Sequence, residues 1–153
     1  MDDLPPGLLH VFAQTRLYTD ENAYVILSIP LEQVYEGLAL LAESVRPFSA
    51  GIVDKDELTL VLPQEVWETA REALSDAQAD EYRLITLDLP MELGLVGYIA
   101  TLTNVLAEAG VSLLVFSAYQ RDHVFVPEAD FAPAWEALNR FIALCQEREA
   151  REG

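Results

Sequence analysis

The run LGLVGYIATLTNVLAEAGVSLLVFSAYQRDHVFV, residues 93 to 126, changes its hydrophobic period partway along. Leu95, Ile99, Leu102 and Leu106 recur at spacings of three and four, which puts them on one stripe of a helix expected from about Gly94 to Ala109. Gly110 follows directly, where a residue of positive φ closes a helix. The remainder, VSLLVFS, then the polar YQRD, then HVFV, reads as two strands joined in a hairpin. Upstream, YRLITLDLP at Tyr82 to Pro90 alternates Ile85, Leu87 and Leu89 onto one face and reads as a strand. Downstream, Phe131, Trp135, Leu138, Ile142 and Cys145 form the apolar stripe of a last helix. The order is β, α, β, β, α.

That order is written twice. FSAYQRDHVFVPEADFAPAWEAL, residues 116 to 138, echoes FSAGIVDKDELTLVLPQEVWETAREAL, residues 48 to 74. Ahead of the earlier copy stand a strand, YVILSIP at Tyr24 to Pro30, and a helix with Val34, Leu38, Leu41 and Val45 on its expected inner face. After it, Pro63 opens a helix that turns Val66, Trp67, Ala70 and Leu74 inward. The pairs Pro30 and Pro90, Phe48 and Phe116, Pro63 and Pro127, and Leu74 and Leu138 stand about 64 positions apart, which indicates an internal duplication. The polar SDAQADE, Ser75 to Glu81, suits a link. The expected domains are therefore residues 1–79, with an extra N-terminal segment, and 80–153. The segment before Tyr24, with LLHVFA and RLY, suits an added strand and has no place in the repeat.

Composition narrows the function. With 52% hydrophobic and 23% charged residues in 153, the chain has the make-up of a folded domain, and no apolar run reaches the roughly 18 residues of a membrane span. Asp2 and Asp3 stand where a secretory signal carries basic residues, and Cys145 is alone, so a cytoplasmic location without disulfides is expected. Nine Lys and Arg against 26 Asp and Glu, a net charge of −17, repel polyanions and argue against nucleic acid as a partner. The same charge favours cationic ligands and also serves plain solubility.

Over residues 82 to 138, the hydrophobic-Gly-hydrophobic opening of the helix, LAEAG, and the FS before the hairpin resemble an ACT domain; residues 24 to 74 match collinearly and more weakly. The whole looks like a tandem ACT-domain protein of the small bacterial kind similar to the cytosolic arginine sensors of animal cells. The resemblance implies an α+β fold of two ferredoxin-like βαββα(β) units packed together, antiparallel sheets covered by helices. It also implies a homodimer and a regulatory, non-enzymatic protein that binds an amino acid at an interface between ACT units, with no cofactor. The alternative is an interaction or dimerisation module without a ligand. Family members often read Ser-Thr-Tyr-Asp-Thr-Asp at the hairpin where this chain has Ser117, Ala118, Tyr119, Gln120, Arg121 and Asp122.

The chemistry of this region suits an amino acid. In a helix beginning near Gly94, the amides of Leu95, Val96 and Gly97 are unpaired donors at the positive end of the helix dipole, a place for a carboxylate. Gly97 lets a ligand approach the backbone; equally, Gly94 and Gly97 serve a tight turn and close packing. Asp122 and Glu92 can hold an ammonium, Ser117 and Tyr119 can add hydrogen bonds, and Phe116 completes the expected ligand site. No catalytic or metal-binding residue is expected. His10 and His123 lack metal-ligand spacing, His123 reads as a surface residue of a strand, no GxSxG is present, and Cys145 reads as a buried thiol. Trp67 and Trp135, at equivalent places, read as core anchors.

Overall fold

The computed structural model describes residues 4–89 and 95–152. Two compact units emerge: Glu21–Leu84, and Met1–Asp20 together with Ile85–Gly153. The boundary expected between residues 79 and 80 falls inside a strand, and the N-terminal segment belongs with the C-terminal part of the chain.

In the unit Glu21–Leu84, β2 (Ala23–Pro30) leads through a 3-10 turn to α2 (Val34–Glu43), then β3 (Ala50–Val53), β4 (Glu57–Pro63), α3 (Gln64–Ala70) and the first residues of β5 (Gln78–Leu87). The strands lie in the order β3-β4-β2-β5, all antiparallel, with Leu27 opposite Leu60 and Leu27 also opposite Ala79. This is the ferredoxin-like arrangement, in which the fourth strand lies beside the first. Val25, Leu27 and Ile29 of β2 and Leu58, Leu60 and Leu62 of β4 alternate onto one face, where Val34, Leu41, Val66, Trp67 and Leu74 cover them. Pro63 stands at the N-cap of α3, as the sequence indicates. In the β3–β4 turn, the Asp54 carboxylate accepts the N–H groups of Asp56 and Glu57 at 2.7 and 2.9 Å, and these bonds hold its pKa below the ordinary carboxylate value.

Helix α2 corrects the expected stripe. Leu38 and Val45 face solvent, and α2 ends before Val45. The residue turned to the sheet is Gly37, together with Leu40 and Leu41. Glycine carries no hydropathy signal, so a search for apolar periodicity passes over it.

The other unit begins in the chain with α1 (Pro6–Gln14) and β1 (Leu17–Tyr18), and continues with the end of β5, α4 (Tyr98–Glu108), β6 (Leu114–Ser117), β7 (Asp122–Pro127) and α5 (Phe131–Glu152). The order β, α, β, β, α thus recurs from β5 onward. The strand path runs β6-β7-β5, and β1 pairs the end of β5 with Leu17 opposite Leu87, so it serves this unit as a fourth strand. The segment before Tyr24 accordingly supplies a short strand, and ahead of it a helix. Leu8, Leu9, Phe12 and Ala13 fall on one side of α1 and are all buried. They join Ile85, Leu87, Leu102, Leu106, Val124, Val126, Leu138 and Cys145 in one core. Burial pushes the Cys145 thiol up from its ordinary pKa.

Helix α4 closes as its sequence requires. Gly110 adopts φ 74°, its N–H donates to the Ala107 carbonyl at 3.0 Å, and Val111 N–H donates to the Leu106 carbonyl at 3.0 Å. These two bonds are the Schellman pattern, which leaves no place for a Cβ penalty at the left-handed position.

Candidate functional site

The ligand-site residues expected from the sequence lie at the start of α4 and on the β6–β7 hairpin. Helix α4 begins at Tyr98, four residues later than expected, because Gly97 adopts φ 90° and acts as its N-cap. The Gly97 carbonyl accepts the first helical bond from Thr101 N–H at 3.0 Å. The unpaired helical amides are therefore those of Tyr98, Ile99 and Ala100, and the amides of Leu95 and Val96 precede the helix. Leu95 packs against the core, whereas Val96 is 86% exposed. The space over Gly97 is not open: a Cβ placed there would meet Leu8 Cδ1 at 3.1 Å. Glycine is needed for its positive φ. Glu92 and Gly94 lie outside the described residues.

Across the hairpin, Ala118 N–H donates to the Arg121 carbonyl at 2.9 Å, which places Ser117 opposite Asp122 and Phe116 opposite His123. The Ser117 hydroxyl donates to Asp122 Oδ1 at 2.5 Å. Arg121, the residue that departs from the family pattern, donates from Nε to Asp88 Oδ1 at 2.7 Å. The hairpin's cation is thus tied to a carboxylate just beyond β5 rather than to Asp122. Phe116 packs edge-on against Phe125, with ring centroids 5.5 Å apart. Tyr119, near the tip, is 79% exposed.

Four residues belong here that the sequence did not nominate as ligand contacts: Tyr98, Thr15, His123 and Thr86. Tyr98, the first residue of α4, is buried, and its hydroxyl lies 3.1 Å from Thr15 Oγ1. Burial pushes its pKa up to about 12; the Thr15 bond opposes that rise and the Asp122 charge adds to it. His123, expected on the surface, is half-buried, and Nδ1 lies 2.8 Å from the Thr86 hydroxyl on β5. A tyrosine in the first turn of an apolar-striped helix was the one signal for Tyr98; Thr15 and Thr86 reach the site only through pairings the sequence does not encode locally.

Desolvation lowers the His123 pKa from 6.5, against the pull of Asp122 and with help from Arg121. A histidine depressed in the folded state contributes stability that is complete above its unfolded pKa and is lost as pH falls through the folded one. The difference in thermal midpoint between wild type and His123→Gln is therefore expected to be larger at about pH 8 than at about pH 5. A difference that does not change with pH would show that the folded chain does not depress His123.

Among the described residues, no helix is long and apolar enough to cross a membrane, and no three His, Cys, Asp or Glu side chains cluster as a metal site. The arrangement offers hydrogen-bond donors, one carboxylate and a buried hydroxyl around a half-exposed hairpin. Comparison with curated proteins finds no match. Among solved structures, a Vibrio cholerae protein of unknown function, described as a possible transport protein, is 28% identical, with a TM-score of 0.66 over 86% of this chain and 94% of its own. An Agrobacterium tumefaciens protein is 16% identical, with a TM-score of 0.62 over 84% of this chain and 89% of its own. The regulatory subunit of aspartate kinase from Thermus flavus is 14% identical, with a TM-score of 0.60 over 81% of this chain and 95% of its own. The last two likenesses concern the fold. In sequence, an ACT domain is found at residues 78–140, which takes in α4, the hairpin and Asp122.

Proposed function

We propose that this chain is a non-enzymatic regulatory protein that binds an amino acid at the β6–β7 hairpin. The observation that carries the reading is the ACT domain at residues 78–140, which encloses the Ser117–Asp122 pair and the start of α4. The fold likeness to an aspartate kinase regulatory subunit supports it. The ligand's ammonium pairs with Asp122, whose neighbouring cation Arg121 is already held by Asp88. Its carboxylate takes the amides at the start of α4, where the helix dipole favours negative charge. Val96 and Tyr119 are exposed and can close over it. The first unit, residues 21–84, reads as a second ACT unit, making the chain a tandem of the kind similar to the arginine sensors, and the chain works in the cytoplasm. A second copy completes the site: β6 ends its strand path, with Leu114 and Val115 exposed, and an uncovered edge of this kind is suited to symmetric pairing.

The test is a thermal-shift screen of the twenty amino acids, followed by calorimetric titration of the one that stabilises. A ligand at 100 times its dissociation constant raises stability by about 2.7 kcal/mol. Asp122→Asn removes the charge and keeps an acceptor for Ser117, and it is expected to weaken binding about tenfold or more. Gly97→Val is a poor probe, since it strains the φ 90° backbone and crowds Leu8 whether or not a ligand is present. Sedimentation is expected to give twice the chain mass. A dimer that no amino acid stabilises would overturn the sensor and leave the interaction module.

A further inference from the structure

On the helical side of the unit that holds α4 and α5, away from the residues of the hairpin site, lies a cavity of about 460 Å³. Its size is within the range of about 300–1,000 Å³ typical of small-molecule sites. The small side chains of Ala109 and Ala137 are part of its lining. Val105 of α4 and Phe141 and Leu144 of α5 give it an apolar lining. Its polar groups are unequal. Arg140 Nη2 donates to Glu136 Oε1 at 2.5 Å, so the cation on one wall is engaged by a carboxylate that does not line the cavity. Glu108, on the other wall beside Asn104, forms no ion pair among the described residues. A carboxylate at the rim of an apolar cavity, in a chain of net charge −17, selects for a cation.

We propose that this cavity is a second ligand site, which takes an organic ammonium ion with an apolar or aromatic body. The ammonium donates to the Glu108 carboxylate and the Asn104 side-chain carbonyl. The body packs against Val105, Phe141 and Leu144.

The probe is 2-phenylethylammonium, with 3-phenylpropanoate as an anion of similar shape, titrated into the intact chain and followed by amide NMR. The ammonium is expected to shift the resonances of residues 104–109 and 137–144, and the anion is not. Glu108→Gln, an exposed substitution that leaves the packing alone, is expected to weaken the ammonium about tenfold or more. Ala137→Leu projects a larger side chain into the cavity and is expected to weaken binding in a chain whose spectrum remains folded. Shifts confined to residues 104–109 and 137–144, with none at residues 116–123 of the hairpin, separate this site from the first, and shifts that centre on the hairpin would overturn the assignment to this cavity. Absence of ammonium binding, equal binding of the anion, or affinity unchanged in Glu108→Gln would overturn the proposal.

Discussion

Phe12→Ala is expected to lower the stability of the chain by about 3–5 kcal/mol, the range for removing a fully buried aromatic side chain. Phe12 is 1% exposed. Its ring stacks on Tyr98 with centroids 4.4 Å apart and meets Phe141 edge-on at 4.9 Å. Truncation would remove both contacts and leave a void between α1, α4 and α5, lined by rigid rings that cannot close over it. For a chain of this length the thermal midpoint should fall by on the order of 10 °C. Phe12→Leu, which keeps most of the volume, should cost about half as much or less. Urea denaturation of the three proteins checks the order. A loss below about 1 kcal/mol in Phe12→Ala would mean that α1 is not part of the core.

Gly37→Val is the second large effect, expected to cost about 1–3 kcal/mol. In an exposed helix interior, replacing glycine gains stability, because glycine is about 1 kcal/mol poorer than alanine there. At Gly37 the sign reverses. A Cβ would stand 2.6 Å from Leu58 Cδ2 and 3.1 Å from Ile29 Cδ1, and both leucine and isoleucine are fully buried. The helix would have to lift from the sheet, or two core side chains would have to leave their rotamers. Gly37→Ala, with the gain in propensity set against the same close approach, should fall between wild type and valine. Thermal melts of the pair check this, and a valine variant more stable than wild type would refute the packing.

The sequence made the repeated element order legible because its landmarks are large or rigid. Prolines end β2 and β4 and open the helices after them, and Trp67 and Trp135 anchor corresponding helices from partly buried positions. Closure of α4 at Gly110 was legible for a similar reason, since it depends on neighbours in the chain. What failed depends on distance or on what a residue lacks. The residues VYEGLALLAE of α2 are apolar on several sides, so the stripe through Leu38 looked as good as the true one through Gly37. Gly97 suggested an open backbone, and Leu8, far away in sequence, occupies the space above it. The hairpin could be read because its turn is local, although Asp122, expected in the turn, opens β7 opposite Ser117. The Arg121–Asp88 pair, the His123–Thr86 contact and the place of Tyr98 could not, since each depends on which strand or helix comes alongside.

The packing of α1 on α5 sets an order on the making of this protein. His10 and Glu149, whose side chains meet at 2.5 Å, are separated by 139 positions. During synthesis, residues 21–84 have every strand and helix of their unit in hand once β5 has emerged. The apolar side of α1, with Leu8, Leu9 and Phe12, emerges before them and has no α5 to rest on until the last helix leaves the ribosome. At about 5–20 residues per second the wait is on the order of ten seconds. Through that interval the nascent chain carries an uncovered sticky segment beside a finished unit, which is the kind of exposure that holding chaperones recognise.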